Sequence, residues 1–273
     1  MIQKVIDFAV YSSIKIGAAL QVSIIQTPQD YYESLQHTIS PNIVGAANNL
    51  LVSPNAKNLI MLDKKFSYIK DCGNYLEVGA LTPSGKLFSY AKKHNLAGFE
   101  ILSGLPGSIG GIIKMNAGLK EYEIKSTLLG ILSVQKSPTL DFIKADSLQL
   151  SYRSSAINQL IFAGIFKKEQ GFNPNLVKLF KEMRENQPKD PSFGSCFKNP
   201  PNDFAGRLIE SVGLKGAPFG ANKTLMFSPK HANFLINLGK SSFDEALELI
   251  LLAKDYVSKK HNITLQNEVQ ILQ

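Results

Sequence analysis

Two stretches of the chain carry residues suited to chemistry. Residues 194–200 read GSCFKNP, and residues 104–118 read GLPGSIGGIIKMNAG. The first sets the hydroxyl of Ser195 on a short turn, with Lys198 and Asn199 just behind it. A serine hydroxyl serves as nucleophile or proton donor, and a lysine and a carboxamide beside it supply positive charge and hydrogen bonds. No GxSxG elbow surrounds it and no His–Asp partnership is evident, so a turn serine bonded to its own backbone is the competing reading. Cys196 is a rival nucleophile, but its neighbours Phe193 and Phe197 favour a packed thiol. The second stretch removes side chains at Gly104, Gly107, Gly110, Gly111 and Gly118. Backbone N–H groups bared in this way bind phosphate well. The spacing matches neither GxGxxG after a strand nor GxxxxGK[ST], which leaves a phosphate cradle and a packing turn as the two readings. Together they suggest an enzyme that works on or with a nucleotide.

The elements that must hold these residues are those of a globular chain. It has 273 residues, 44% of them hydrophobic and 19% charged, enough for two or three compact units. No apolar run reaches the ~20 residues of a membrane span, and the N-terminus lacks the apolar core and cleavage site of an export signal, so cytoplasmic residence is expected. Cys72 and Cys196 lie far apart, and the histidines 37, 94, 231 and 261 are scattered. Free thiols and no metal site are therefore expected. The net charge of +8 is spread over dispersed lysines, a pattern of a solvated surface or an anion funnel and not of a nucleic-acid stripe.

Periodicity predicts strands at 42–44, 59–61, 66–69, 75–80, 126–134, 160–168, 224–227, 234–238 and 263–272. Helices are predicted after an N-cap at Thr82, with Asn95 as its left-handed exit, and from Asn173-Pro174. A third follows a cap at Asn202 or Asp203 and stops at Gly213. The Ser242/Glu245 capping box opens a fourth, running to about Lys259 with Phe243, Leu247, Ile250, Leu251 and Val257 along it. The run QPKDPSFGS (187–195) is the best candidate boundary. Mixed strands and helices indicate an α+β protein of more than one domain. Within this frame Arg153, in YRSS (152–155), suits a carboxylate clamp or an ordinary ion pair. Glu268 lies in a predicted strand whose alternation does not settle which face it takes.

In this order the motifs resemble those of the UDP-N-acetylenolpyruvoylglucosamine reductase family. The matching residues are GLPGSIGG and MNAG (104–118), YRSS (152–155), GSCFKNP (194–200), AGRLIESVGLKG (205–216), KHANFLINLG (230–239) and NEV (267–269), over nearly the whole chain. The short stretch between YRSS and GSCFKNP resembles the shorter family subtype. The resemblance implies a two-lobed FAD-binding domain of the vanillyl-alcohol-oxidase type and a smaller α+β substrate-binding domain. The lobes would be residues 1–65 and 66–189, with the C-terminal strand 262–273 returning to the latter, and the substrate domain 190–261. It implies reduction of UDP-N-acetylglucosamine enolpyruvate to UDP-N-acetylmuramate, with NADPH as hydride donor and bound FAD as relay.

By the same resemblance Ser195 protonates the C2 carbon, while Arg153 and Glu268 stabilise the enolate-like intermediate. FAD would be bound by Gly45, Ala46, Ala47, Asn48, Asn49, Leu50, Ser103, Gly104, Pro106, Gly107, Ser108, Gly111, Asn116 and Gly118. Tyr152, Lys198, Asn199, Arg184 and His231 would bind substrate. The partners implied are a UDP-sugar and NADPH, with no nucleic acid and no membrane, and a monomer is expected. The chain departs from the family at GAANNLLV (45–52), where GxGSNLLV is usual, at SSIKIGAA (12–19) and at GLKEY (118–122). An alanine at positive φ is costly, so the 45–50 loop is expected to be reshaped. Two other readings compete: a different FAD oxidoreductase on the same scaffold, and a basic nucleotide- or nucleic-acid-binding protein.

Overall fold

The computed structural model describes residues 1–37 and 40–273. It contains both helices and strands throughout, as an α+β chain does. The chain divides into two compact units. One comprises Met1–Lys4, Val22–Ala46 and Asn58–Glu185; the other comprises Val5–Gln21, Ala47–Lys57 and Asn186–Gln273.

The first unit is built on an antiparallel sheet ordered 141–144, 128–133, 161–167, 75–79, 69–71. Its middle strand, Ile161–Lys167, buries six of seven residues. That is why its sequence, IFAGIFK, is a nearly unbroken apolar run rather than an alternation. A parallel ladder pairs Val22–Ile25 with Leu59–Leu62, and Asn42–Ile43 with Leu59–Ile60. Leu87 and Ala91 of helix Ser84–Lys93 and Ile109, Ile112 and Ile113 join the same core. The predicted cap at Thr82 moves one residue on, to Pro83. Thr82 instead donates its hydroxyl to the Tyr68 carbonyl at 2.9 Å, and Pro83 bridges to Ser108, so tertiary pairing decides where this helix starts. Asn95 has the expected left-handed conformation (φ 56°), and Asn173 caps helix Pro174–Met183 through its side chain.

The second unit joins a three-stranded sheet, ordered 192–195, 234–237, 225–227, to helices Ala205–Ser211 and Phe243–His261. The capping box of Ser242 and Glu245 is present, and Asn262 ends the helix in a left-handed turn. Its buried seam is Phe243, Ala246, Leu249, Ile250, Ala253 and Val257, each large aliphatic side chain there contributing about 1.5–3 kcal/mol. Leu251, expected with Phe243 and Ile250, is 54% exposed. The shorter helix is not capped by Asn202 or Asp203. Asp203 accepts the Phe204 N–H, and the first helical N–H, that of Ala205, is taken by Asn199 Oδ1 at 3.0 Å.

The C-terminal strand is Gln270–Leu272, shorter than the predicted 263–272, and it runs parallel to Leu50–Val52 rather than along residues 66–189. Residues 266–269 bond instead to the backbone at 196–198. No helix among the described residues is long and apolar enough to cross a membrane.

Candidate active-site residues in each unit

Ser195 ends the strand Ser192–Ser195 and pairs with Phe234 across the antiparallel ladder. The backbone just beyond it is held firmly. Cys196 N–H donates to the Asn233 carbonyl at 2.7 Å, and the peptide of Phe197 is bound on both edges by the Asn233 side chain. Asn233 is 4% exposed, so no water competes for these bonds. Lys198, half-buried, donates its backbone N–H to Gln266 at 2.9 Å. Asn199 is exposed, and its side chain caps the helix as described.

Glu268 belongs to the same hydrogen-bonded frame. Its N–H donates to the Cys196 carbonyl at 2.9 Å, and its carbonyl accepts Asn49 Nδ2 at 3.0 Å. Ser195 and Glu268 are thus brought onto adjoining backbone within the second unit. Cys196, the rival nucleophile, is fully buried. Burial pushes its thiol well above the ordinary range, and the nearby Glu268 charge adds to this while Lys254 opposes it. Both cysteines are free thiols. Beside Phe234, His231 is half-buried, its ring edge-on at 5.0 Å and its Nδ1 accepting the Asn233 N–H at 3.3 Å. Burial lowers its pKa below the usual histidine value.

Arg153 lies in the first unit, on the two-residue turn closed by the Ser151–Ser154 bridge. Its φ is 52°, a left-handed conformation in which glycine is the ordinary occupant of such a turn. Nη2 donates to the Gly118 carbonyl at 2.6 Å, and Asn116 Nδ2 donates to the Ser151 carbonyl at 3.0 Å. The MNAG segment, expected to bind cofactor, therefore also holds the arginine turn from beneath. Tyr152 is 47% exposed, and the Arg153 guanidinium lies 5.6 Å from its ring centre.

Arg184, half-buried, donates to the carbonyls of Ser103 and Ile101. Burial lowers its pKa, and the charge of Arg153 lowers it further. Two guanidiniums that repel each other in one unit make a positive locus suited to an anion.

The glycine loop runs into helix Ile109–Lys114, which takes in Gly110 and Gly111. Gly104 and Gly107 have φ of 69° and 127°. Ser103 and Gly107 are half-buried, while Gly104, Pro106 and Gly111 are exposed. Ser108 is buried, and a Cβ on Gly45 would lie 2.9 Å from its Oγ. Ala46 and Asn48 are half-buried, and Leu50 opens the strand Leu50–Val52. Ala47 adopts φ 50°, the left-handed conformation that glycine would take more cheaply. Its carbonyl accepts the Ser13 N–H at 3.2 Å. Among the described residues no cluster of three or more His, Cys, Asp or Glu side chains could hold a metal.

The positioning roles of Asn233 and Asn116 were missed in the sequence. The available signal was a polar residue inside an apolar strand run, as in HANFLIN.

Fold and site define an α+β protein with a glycine-rich loop in one unit and, in the other, a serine at a strand end whose next residue accepts the Glu268 N–H. Residues 187–272 match the family model described as UDP-N-acetylenolpyruvoylglucosamine reductase, C-terminal domain. The reductase of Helicobacter hepaticus is 55% identical over 98% of both chains. That of Helicobacter pylori strain J99 is 45% identical over the whole of both. The crystal structure of the Thermus caldophilus UDP-N-acetylenolpyruvylglucosamine reductase matches all of both chains with a TM-score of 0.85 at 26% identity. The chain belongs to the UDP-N-acetylenolpyruvoylglucosamine reductase family.

Proposed function

We propose that the protein reduces UDP-N-acetylglucosamine enolpyruvate to UDP-N-acetylmuramate in peptidoglycan precursor synthesis, with NADPH as reductant and FAD as bound cofactor. The observation that carries the reading is the pairing of Glu268 with the residue next to Ser195, in a chain 55% identical to a reductase of that name. The residues present fit FAD. The glycine-rich segment 103–108, where a Cβ on Gly104 would meet nothing nearer than Arg184 Nη1 at 3.9 Å, suits a pyrophosphate. Gly45 lies so close to Ser108 Oγ that a Cβ there would come to 2.9 Å, so the tight approach of the two segments requires a glycine. Asn267 Oδ1 is buried and accepts no hydrogen bond among the described residues, which suits a donor on a bound ligand.

Bound FAD supplies the two-electron relay from NADPH to C3 of the enolpyruvyl group. The chain's own groups do the rest. Gly45, Ala46, Ala47, Asn48, Asn49, Leu50, Ser103, Gly104, Pro106, Gly107, Ser108, Gly111, Asn116 and Gly118 would hold the cofactor. Ser195 Oγ gives its proton to C2 as hydride arrives at C3, and recovers a proton from solvent. A serine hydroxyl is too weak an acid to do this unaided, and Lys198 supplies the neighbouring positive charge. Arg153, and Glu268 in its neutral, hydrogen-bond-donating form, meet the negative charge that builds on the carboxylate; donors of this kind are worth about 10²–10³ in turnover. Tyr152, Lys198, Asn199, Arg184 and His231 bind the UDP-sugar. Residues 1–65 and 66–189 form the lobes of a vanillyl-alcohol-oxidase-type flavin domain, and 190–261 the substrate domain. The enzyme acts in the cytoplasm as a monomer.

Incubation of the FAD-loaded protein with NADPH and the enolpyruvyl substrate, followed by mass spectrometry, tests the reading. A product heavier by two hydrogens, formed only when both are present, supports it. NADPH oxidation with the substrate recovered unchanged would refute it.

A further inference from the structure

We infer that Asn49 is a positioning residue for Glu268, coupling the 45–50 loop to the acid–base centre; this rests on the reductase reading. Two bonds tie Asn49 to the chain leaving Glu268. Its side-chain Nδ2 donates to the Glu268 carbonyl at 3.0 Å, and its main-chain carbonyl accepts the Gln270 N–H at 3.0 Å. The parallel ladder begins only at Leu50–Gln270. One step before it, the Asn49 carboxamide does what a strand N–H would do, and holds the Glu268 peptide where regular pairing has stopped.

The other edge of the same segment is held by Cys196, whose carbonyl accepts from both Glu268 (2.9 Å) and Val269 (3.2 Å). Glu268 therefore sits between the loop ending at Asn49 and the residue after Ser195. Without the Asn49 side chain, one of these two attachments is lost and the Glu268 peptide gains freedom. Displacements of about 1 Å at a reacting group cost on the order of 10²-fold in rate. The loop that makes the bond is itself constrained, with Ala47 left-handed and its carbonyl taken by Ser13. Its geometry is thereby passed to Glu268 through one side chain.

The test separates the two half-reactions in holoenzyme by stopped-flow absorbance. With both proteins saturated with FAD, Asn49→Ala is expected to lose roughly 10- to 100-fold more in reoxidation by the enolpyruvyl substrate than in reduction by NADPH. Asn49→Asp keeps the size but offers an oxygen to a carbonyl, and is expected to show the same split. In a Glu268→Ala background, Asn49→Ala is expected to add less than about 2-fold, because the residue acts through Glu268. Equal losses in the two backgrounds would overturn the inference, as would losses of equal size in the two half-reactions of the FAD-saturated variant. Wild-type flavin that the substrate fails to reoxidise would overturn the reductase reading itself; wild-type reoxidation with additive variants would overturn the positioning role alone.

Discussion

The carboxamide of Asn233 closes a two-bond ring with the peptide of Phe197. Phe197 N–H donates to Oδ1 at 3.0 Å, and Nδ2 donates to the Phe197 carbonyl at 2.8 Å. The side chain copies the edge of a strand, and it does so two residues beyond Ser195. Truncation to alanine would orphan a buried N–H and a buried carbonyl, each at about 1–3 kcal/mol. Asn233→Ala is therefore expected to lower unfolding stability by several times the effect of a surface change and to slow substrate-dependent flavin reoxidation. Denaturant titration alongside single-turnover kinetics checks both, and unchanged stability would show that the ring is unimportant.

Arg153 occupies a conformation that glycine takes without strain. Arg153→Gly and Arg153→Ala both lose the guanidinium and its bond to Gly118, but only alanine retains the left-handed penalty. The glycine variant is expected to be the more stable of the two by about 1 kcal/mol. Both are expected to lose about 10²–10³ in turnover. An alanine variant as stable as the glycine variant would remove the strain argument.

Burial makes Cys196 unreactive and leaves Cys72, half-exposed, as the accessible thiol. Brief treatment of the native protein with iodoacetamide at neutral pH is expected to label Cys72 alone, as read by peptide mass spectrometry. Rapid labelling of Cys196 would mean that its surroundings open in solution.

Much of this was legible in the chain because it depends on local chemistry. The Ser242/Glu245 box, the Asn173-Pro174 start and the left-handed Asn95 are set by residues a few positions apart. What was not legible depends on distant partners. Helix Pro28–His37 has a polar sequence, PQDYYESLQH, and shows no clean apolar stripe. The Thr82 cap gives way to pairing with Tyr68 and Ser108. Alternation extended the last strand to 263–272, yet residues 266–269 bond to 196–198 and only 270–272 form a ladder. The same holds at the site. Ser195 and Arg153 stood out by motif, whereas Asn233 and Asn116 are recognisable only once the backbone they hold is in place.

His231 titrates below the usual value because its ring is half-buried, and the charge of Lys215 adds to this. The unfolded chain then binds a proton that the folded chain refuses, so this group's contribution is fully present above the unfolded value and lost as pH falls below it. NMR titration of the imidazole should give a midpoint below 6.5. Replacement by glutamine should flatten the decline in stability on acidification. A midpoint at or above that value would reverse the sign.

The central claim is tested most directly by anaerobic absorbance of the FAD-loaded protein through two additions, NADPH and then UDP-N-acetylglucosamine enolpyruvate. Bleaching of the flavin band by the first and its return with the second is the predicted result, and with Ser195→Ala the bleaching should persist while the return slows by roughly 10²–10⁴. Bleaching without return in the wild-type protein, or full-speed return in the variant, would contradict the account.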